Sequence, residues 1–530
     1  MGAAGRRVTA ESQQATIVNL DHHQKAFVEF QSGCAVLHAP VGTGKTLVLA
    51  ERAAEAIRRD TEPSRILCVT FTNRAAEELR QRIILNCGRG GSQVVVRTFH
   101  SLCAWMLRCE AKQIGLYADF VIVDDDDSME IIRACANRLG IQLRKTMYED
   151  EAGDACNAIM DAKVNVADAD LGSTSGIKLD RLFAGLPAAR RRIAHAYQEE
   201  LASYHALDFA DLVLGARAML CARREIRRRW ADRFSMIQVD EMQDTHMSEY
   251  RVLRALAEVS RNLALVGDFD QTIYEWRGSR PDRIIERFRR DFPEARLFSL
   301  AVNYRTTRTL AQAARCVVSH YNGGAGHGAT SFDTCKWAEE GGPIVVHFAG
   351  DAVDEARWIA SQLNNMRHEA QRRKAHLSLG RIGVLTRTNT RGSVISAELA
   401  KAGVPHLTVE QYEFFRRQEV KDAIAYLKYL ANPADSRSVR RMLRRPARNI
   451  GDRTIAQVQK AEEIGLGLAD MANPSTMRWG EPFGQILREL ENGSVVVFDT
   501  ETTGLNPAED EIVEIAAVRL HKGQPVAKLH

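Results

Sequence analysis

The chain has 530 residues, of which 45% are hydrophobic and 26% charged, and its formal net charge is +4. This length predicts about three to four domains, and the composition is that of a soluble globular protein. A net charge this small does not by itself indicate a nucleic-acid partner. No run approaches the roughly 18 apolar residues of a membrane span, and the ten cysteines include no C-x-x-C pair. We therefore expect no membrane partner, no structural zinc, no disulfide framework and a cytoplasmic location.

The most informative segment is a glycine-rich loop between two apolar runs, residues 35–37 and 47–49. This order predicts a strand, a loop and a helix, with small residues that let backbone N–H groups bind phosphates. In such a loop Lys45 reaches the β and γ phosphates and the Thr46 hydroxyl holds Mg²⁺, which indicates a nucleoside triphosphate. The residues predicted to bind the nucleotide here are Ala39, Pro40, Val41, Gly42, Thr43, Gly44, Lys45 and Thr46. Ala39 stands where the pattern G-x-x-x-x-G-K-[ST] has its first glycine, and a chance match is the alternative.

A pair of carboxylates ends another apolar run, Met236-Ile237-Gln238-Val239-Asp240-Glu241. Hydrolysis of a triphosphate needs one carboxylate to hold Mg²⁺ and another to position or deprotonate the attacking water. We assign the metal to Asp240 and the general base to Glu241. The alternative is an acidic pair at the surface end of a strand.

The first half of the chain has the alternation of an α/β protein. Short apolar segments alternate with helical patterns across residues 35–71 and recur at 94–98, 236–239 and 263–266. This is typical of a parallel sheet with crossover helices. We expect an α/β nucleotide-binding core.

Two further regions differ from this core. Residues 103–204 have a helical pattern, in which the aspartates at 124–127 are expected to cap a helix, with a metal site as the alternative. A second α/β pattern begins near Phe298, with candidate strands at 344–348 and 382–385. Helical patterns return after Gln411, and a new strand begins near residue 495.

Seven motifs follow one another along the chain, and their order makes them specific for one family. They are Asn19-Leu20-Asp21-His22-His23-Gln24, the loop at 39–46, Thr70-Phe71-Thr72-Asn73-Arg74-Ala75-Ala76, Arg97-Thr98-Phe99-His100-Ser101-Leu102-Cys103, Val239-Asp240-Glu241-Met242-Gln243-Asp244-Thr245, Gly267-Asp268-Phe269-Asp270-Gln271-Thr272-Ile273-Tyr274-Glu275-Trp276-Arg277-Gly278 and Asn303-Tyr304-Arg305. Over roughly residues 15–460 the chain resembles the UvrD/Rep/PcrA-like superfamily 1 DNA helicases. The resemblance implies an α/β fold with two RecA-like P-loop cores and inserted helical subdomains.

The resemblance also implies domain boundaries. The first RecA-like core covers residues 1–105 and 200–285, and an inserted helical subdomain covers 106–199. The second core covers 286–410 and an accessory helical subdomain 411–490, and both are expected to be incomplete.

Individual roles are carried over from the family position by position. Gln24 would read the adenine edge and Gln271 would sense the γ-phosphate. Tyr304 would stack on the base and Arg305 would reach the γ-phosphate, where developing charge calls for convergent cations. The positions that match DNA contacts are Phe71, Asn73, Phe99, His100, Tyr274, Trp276, Arg277, Arg387 and Asn389. The implied cofactors are ATP and Mg²⁺, and the implied partners are single-stranded DNA and junctions of single- and double-stranded DNA.

A basic segment lies in the accessory region. Residues 436–451 contain Arg437, Arg440, Arg441, Arg444, Arg445 and Arg448 and no acid. Their spacing predicts one basic helix face that tracks duplex phosphates, and a merely solvated face is the alternative.

The last segment, residues 491–530, resembles the start of a DnaQ-like DEDD 3′ to 5′ exonuclease with an RNase H-like fold. Its string is Val497-Phe498-Asp499-Thr500-Glu501-Thr502-Thr503-Gly504-Leu505. Asp499 and Glu501 are two apart on a strand, so both carboxylates face one side and are candidates to hold Mg²⁺ or Mn²⁺. The chain ends before the family's remaining acidic residues, so we expect this domain to be incomplete.

Three functions remain open from the sequence. The first is an ATP-dependent 3′ to 5′ DNA helicase coupled to an exonuclease, in DNA repair or defence, and here a fragment of a longer protein. The second is a nucleotide-gated DNA-binding module without unwinding, because the family's late arginine motif is absent from the chain. The third is a nuclease to which the helicase part delivers substrate.

Overall fold

The computed structural model describes residues 19–144, 150–171, 179–272, 279–321, 334–335, 340–408, 418–432, 435–445, 489–503 and 512–529. The chain divides into two compact units, residues 1–347 and 348–530. Within the described part, no helix is both long enough and apolar enough to cross a bilayer.

A parallel sheet forms the centre of the first unit. Among the described residues it has six strands in the order β3-β2-β6-β7-β1-β8. The strands are β1 (Ala35–His38), β2 (Ile66–Thr70), β3 (Val95–Thr98), β6 (Met236–Val239), β7 (Leu263–Gly267) and β8 (Arg296–Ser299). Both faces are covered, because Val36 belongs to one core cluster and its neighbours Ala35 and Leu37 to another. The predicted parallel α/β core is confirmed, and β8 extends it past the predicted end at residue 285.

Helices pack on the two faces of this sheet. They are α1 (His22–Glu29), α2 (Lys45–Arg58), α3 (Asn73–Cys87), α4 (Phe99–Ile114), α10 (Phe209–Ala222), α11 (Arg224–Arg233), α12 (Met247–Leu256) and α13 (Pro281–Asp291). Several begin directly after a strand because the strand is followed by a capping side chain, as Thr98 caps α4 and Asp208 caps α10. At α4 the chain therefore turns from strand into helix at the carboxyl edge of the sheet.

The segment inserted in this core is helical, as expected. It contains α5 (Asp125–Arg138), α6 (Glu151–Asn165), α7 (Asp168–Leu171), α8 (Leu179–Leu182) and α9 (Ala188–Ser203), with a parallel pair of short strands, β4 (Val121–Val123) and β5 (Ala206–Asp208). Its core includes the buried Ile132, Phe183 and Tyr197. Asp124 caps α5 by accepting a hydrogen bond of 2.8 Å from the Asp127 N–H, which confirms the capping interpretation of the aspartates. The first unit also contains β9 (Val302–Asn303), β10 (Thr334–Cys335) and α14 (Arg308–Tyr321).

The second unit consists of helices and an antiparallel sheet. Its helices are α15 (Ala352–Arg372), α16 (Asn389–Lys401), α17 (Gln418–Ala431) and α18 (Ser436–Arg444), and its strands are β11 (Ser494–Thr502), β12 (Ile512–His521) and β13 (Gln524–Leu529). Helices α15 and α16 pack through Ala356, Leu363 and Leu399. All described residues of β13 are exposed.

The strands predicted at 344–348 and 382–385 are wrong. The backbone is irregular there, and apolar side chains face solvent, with Phe348 91% and Leu385 98% exposed. A parallel strand needs a neighbouring strand from a distant part of the chain. None pairs with these two segments among the described residues, so their apolar composition alone does not form a sheet.

Candidate nucleotide-binding site

The glycine-rich loop connects β1 to α2 at the carboxyl edge of the sheet. Gly42 and Gly44 have φ angles of 80° and 88°, in the left-handed region that glycine adopts without strain. Gly44 is the N-cap of α2 and supplies no side-chain cap, so backbone N–H groups in the first turn remain available to an anion. Ala39 is fully buried in the core, and its N–H donates to the Gly267 carbonyl at 2.9 Å. The methyl group at position 39 is thus accommodated where the usual pattern has glycine.

The segment 303–305 packs directly on this loop. The Tyr304 N–H donates to the Gly42 carbonyl at 2.8 Å, and Asn303 Nδ2 donates to the Val41 carbonyl at 3.2 Å. A Cβ atom at Gly42 would lie 2.5 Å from Asn303 Oδ1 and 2.9 Å from Arg305 Cβ. The approach therefore requires glycine, and it brings the exposed Arg305 beside the loop.

The two carboxylates at the end of β6 face the loop lysine. Lys45 Nζ lies 2.7 Å from Glu241 Oε2, and Gln243 Nε2 donates to the same oxygen at 2.7 Å. Glu241 has a φ of 52°, which a residue other than glycine adopts at some cost in strain. The turn after β6 is thus held in a conformation that aims Glu241 at Lys45.

Asp240 is enclosed beside this ion pair. Its residue is 6% exposed, and one carboxylate oxygen accepts a hydrogen bond of 3.0 Å from the Glu241 N–H. The pKa of the Asp240 carboxyl is raised to about 7, chiefly by burial and also by the negative charge of Glu241, while Lys45 opposes the shift. Next to a phosphate loop, this carboxyl group is an oxygen donor of the kind that Mg²⁺ prefers, and its raised pKa means that a bound cation would have to displace a proton near neutral pH.

Asp268 follows β7 and forms hydrogen bonds with residues that follow β1 and β6. Its Oδ2 accepts hydrogen bonds from the Val41 N–H at 2.9 Å and from Gln271 Nε2 at 2.6 Å. Its own N–H donates to Gln243 Oε1 at 3.1 Å. Gln271, predicted to sense the γ-phosphate, is therefore connected to the loop through Asp268.

His38 completes the same network at the end of β1. Its Nε2 lies 3.9 Å from Asp268 Oδ1, and its ring stacks on Phe269 with centroids 5.1 Å apart. Burial lowers the pKa of the His38 imidazole, although the charge of Asp268 opposes this. The neutral ring packs in the wall beneath the loop.

The end of the loop away from the carboxylates is held by α1. Gln24 Nε2 donates to the Thr43 carbonyl at 3.0 Å, and Gln24 forms a capping box with Asp21. The Tyr304 hydroxyl donates to Asp21 Oδ2 at 2.6 Å. The structure thus brings Gln24 and Tyr304, both predicted at the adenine, to the same side of the loop.

The other residues predicted to bind the nucleotide lie in the loop or in the first turn of α2. Thr46 is half-buried in the first turn of α2, and Thr43 is buried with its hydroxyl donating to the Pro40 carbonyl at 2.7 Å. Sequence reasoning missed Asn303, Gln243 and Asp268. All three stand in the motifs given above, so the signal was present, but the contacts that join them to other strands are with residues 25 or more positions away.

The residues predicted to contact DNA are distributed more widely. Phe71 is partly buried and Asn73 exposed at the start of α3, while His100 is half-buried with its ring 5.1 Å from that of Phe209 in an edge-on contact. Phe99 does not fit the DNA contact predicted for it. It is only 5% exposed within the hydrophobic core and offers no ring face to a base. Tyr274, Trp276 and Arg277 lie outside the described residues.

The second unit carries the other predicted DNA and metal residues. Arg387 and Asn389 are exposed at the start of α16. The basic segment forms α18, in which Arg441 Nε lies 2.6 Å from Asp422 Oδ1, and Arg448 lies outside the described residues. The two predicted metal ligands, Asp499 and Glu501, are on β11.

Strand β11 pairs with β12 so that exposed Asp499 is opposite Ala516 and Glu501 is opposite Glu514. Among the described residues, no group of three or more metal-binding side chains is close enough together to hold an ion.

A glycine loop between a parallel strand and a helix, with an acidic pair at the end of a neighbouring strand, defines a P-loop nucleotide-binding protein of the α/β class. Family models narrow this. Residues 20–293 match the UvrD/REP helicase N-terminal domain, and residues 298–524 match the UvrD-like helicase C-terminal domain. The chain belongs to the UvrD/REP helicase family.

Similar proteins agree with this assignment. The chain is 34% identical to the ATP-dependent DNA helicase UvrD1 of Mycobacterium tuberculosis over 463 residues, which is 85% of this chain and 58% of that protein. It is 30% identical to the ATP-dependent DNA helicase PcrA of Staphylococcus epidermidis over 493 residues, which is 90% of this chain and 64% of that protein. The chain therefore spans about three fifths of the length of these relatives.

Proposed function

We propose that this chain is the motor portion of an ATP-dependent DNA helicase, which hydrolyses ATP with Mg²⁺ and translocates 3′ to 5′ on single-stranded DNA. The observation that carries the proposal is the convergence of Lys45, Glu241 and the segment 303–305 on one glycine loop. The direction of movement is inferred from family resemblance. Membership of the UvrD/REP helicase family supports DNA as the substrate.

The geometry supports a division of labour between Lys45 and Glu241. The phosphates of ATP would bind the loop N–H groups and draw the Lys45 ammonium away from Glu241. Glu241, held by Gln243 at 2.7 Å, would then be free to orient and deprotonate the attacking water. Arg305, beside the loop, would stabilise negative charge on the transferred phosphoryl group.

The same arrangement of residues around the loop provides sites for magnesium and for the adenine of ATP. The Thr46 hydroxyl and the Asp240 carboxylate provide the oxygen donors that Mg²⁺ prefers, and we assign the ion to them. When bound with ATP, Mg²⁺ neutralises phosphate charge. Gln24 and Tyr304 would enclose the adenine, and Gln271 would report the γ-phosphate to Asp268.

We assign DNA contacts to Phe71, Asn73 and His100 in the first unit and to Arg387 and Asn389 in the second. Accessible polar and aromatic groups bind single strands by stacking and phosphate contacts without reading sequence. The substrates we propose are single-stranded DNA and junctions with duplex DNA. The nine cysteines whose side chains the structure describes are free, which supports a reducing cytoplasmic compartment.

A second activity, 3′ to 5′ exonuclease action, is proposed from β11. The pairing of β11 with β12 aligns position 501 with Glu514, and Asp499 precedes by two residues on the same strand. Carboxylates so placed suit two Mg²⁺ or Mn²⁺ ions in an RNase H-like fold. The full exonuclease would need further acidic residues.

The test is ATP hydrolysis by the 530-residue chain with and without single-stranded DNA, together with unwinding of a tailed duplex. Single-stranded DNA should stimulate hydrolysis, and Lys45→Ala should abolish both hydrolysis and stimulation, whereas Lys25→Ala, an exposed lysine on α1, should behave like the unsubstituted chain. ATP-dependent DNA binding without strand separation would favour the gated binding module. Metal-dependent release of 3′ nucleotides that Asp499→Ala abolishes would establish the nuclease.

A further inference from the structure

A second cleft in the first unit is lined by arginines. It has a volume of about 240 Å³ and lies among α7, α10, α11, α12 and the end of α13. It shares no lining residue with the glycine loop. Its cationic lining consists of Arg217, Arg227, Arg251, Arg254 and Arg261.

Three carboxylates also line the cleft, and each is paired. Asp168 lies 2.7 Å from Arg217 Nη2 and 3.5 Å from Arg251 Nε. With three carboxylates against five guanidinium groups, the lining has two positive charges in excess. The excess favours an anion.

The other two carboxylates, Glu258 and Asp291, also pair with arginines of the lining. Glu258 lies 3.0 Å from Arg227 Nε, and Asp291 lies 3.6 Å from Arg254 Nη1. The side chains of Arg227 and Arg254 are 36% and 44% exposed. Ion pairs this exposed are worth little, so both arginines can turn toward a ligand at small cost.

Charges just outside the lining leave the excess unchanged. Arg261 is paired with Glu294, and Arg287 shares Asp291 with Arg254. Outside the lining, the positive charge of Arg287 and the negative charge of Glu294 cancel. The cleft as a whole therefore retains about two positive charges in excess.

The base of the cleft contains a buried arginine with an unused donor. The Arg217 side chain is 1% exposed, and its Nη atoms donate to the carbonyls of Val164 and Val166 and to Asp168. Its buried Nε has no hydrogen-bond partner among the described residues. A buried donor without a partner is costly, which is a feature of sites that receive an acceptor.

A neighbouring histidine is subject to the positive potential of this region. The pKa of His246 is lowered to about 4, chiefly by burial and further by the charges of Arg217 and Arg251. The apolar side of the cleft consists of Leu220, Val252 and Phe292. A concave apolar wall with a few convergent polar groups is typical of a small-molecule site.

We propose that this cleft binds a small phosphate-bearing anion with two or more negative charges, at a site separate from the ATP loop. Guanidinium groups match phosphate oxygens in geometry and stay charged at all physiological pH values. The concave shape and limited volume favour a free phosphate or diphosphate group over an extended polymer.

Pyrophosphate in Mg²⁺-free buffer is the probe, and isothermal titration of the full chain is the first measurement. The Lys45→Ala chain, with its ATP loop disabled, should still bind one pyrophosphate. Adding Arg227→Gln and Arg254→Gln should weaken this binding at least about tenfold, because two convergent charges are lost. The control is Arg228→Gln, which removes an arginine that is 73% exposed on α11, the helix of Arg227. It should leave the affinity for pyrophosphate within about twofold of that of the Lys45→Ala chain.

Alkylation of cysteines gives a second readout that does not need the arginine variants to fold. Cys221 lines the cleft and is exposed, whereas Cys109 is exposed outside it. Pyrophosphate should slow alkylation of Cys221 and leave that of Cys109 unchanged, as measured by peptide mass spectrometry. Loss of all pyrophosphate binding in Lys45→Ala, or equal alkylation of Cys221 with and without pyrophosphate, would overturn the proposal.

Discussion

Two acidic motifs of the chain lie in opposite environments. Asp240 and Glu241 end a strand buried on both faces, where Lys45, Gln243 and backbone N–H groups fix them. Asp499 lies on an antiparallel sheet whose described side chains are largely exposed, as with Phe498 at 68%. The motifs are equally clear in sequence. The difference teaches that the surrounding fold, which sets burial and partners, gives a carboxylate its chemistry.

The largest effect that sharpens this comparison is expected from Glu241→Gln. A general base contributes about 10²- to 10⁴-fold to the rate, so single-turnover ATP hydrolysis should fall by that factor. The matched control is Glu286→Gln, an exposed carboxylate on α13, which should hydrolyse ATP at the unsubstituted rate. A Glu241→Gln chain that hydrolyses ATP within about threefold of that rate would remove Glu241 from the base role.

Gly42→Ala should have the next largest effect. Its Cβ would collide with Asn303 at 2.5 Å, and the φ of 80° is unfavourable for alanine. Such substitutions cost more than about 1 kcal/mol, so we expect lower thermal stability and at least about tenfold weaker ATP binding.

The control for this variant is Gly185→Ala. Nothing lies within 4 Å of a Cβ placed at Gly185. Its melting temperature and ATP affinity should match those of the unsubstituted chain. If Gly42→Ala also matched, the close approach of the segment 303–305 to the loop would be contradicted.

The pH dependence of metal use tests the burial of Asp240. Because its carboxyl pKa is about 7, a proton competes with Mg²⁺ below that pH. The Mg²⁺ concentration needed for half-maximal ATPase activity should rise about tenfold per pH unit between pH 7 and pH 5. A requirement that stays flat over this range would contradict a buried, protonated Asp240.

The same group affects stability in a defined direction. Its folded pKa of about 7 lies above the unfolded value of about 4, so the native state binds more protons between these pH values. The contribution of Asp240 to the free energy of unfolding should therefore fall as pH rises from 4 to 7 in the absence of nucleotide. Buried Glu249, with a pKa of about 7, contributes with the same sign. Asp240→Asn should flatten part of this slope in urea unfolding, and an unchanged slope would argue against the assignment.

The smallest effect is expected from Tyr304→Phe. It removes the hydroxyl that donates to Asp21 at 2.6 Å and keeps the ring. Loss of one such hydrogen bond costs about 0.5–1.5 kcal/mol, so ATP should bind about two- to tenfold more weakly with little change in kcat. Tyr117→Phe, at a tyrosine 58% exposed, serves as the control. Loss of hydrolysis at saturating ATP would give Tyr304 a larger role than positioning.

The individual strands of the parallel sheet, the loop and the acidic pair were predictable because the pattern of each one lies in residues adjacent in sequence. Asp268 was not assigned, because its role arises from contacts with Val41 and Gln243, which come from other strands. The segments at 344–348 and 382–385 have the composition of strands but lack a pairing partner in the described structure. The arginine cleft has no motif, since its residues come from five helices and the loops beside them.

The most direct test of the central claim, that Lys45 changes partner from Glu241 to phosphate, is the equilibrium affinity of Glu241→Gln for ATP. Glu241 competes with phosphate for the Lys45 ammonium at 2.7 Å. Removing its charge should keep or tighten ATP binding while hydrolysis is lost. An affinity weakened about tenfold or more, in a chain that melts like the unsubstituted protein, would contradict the exchange of partners.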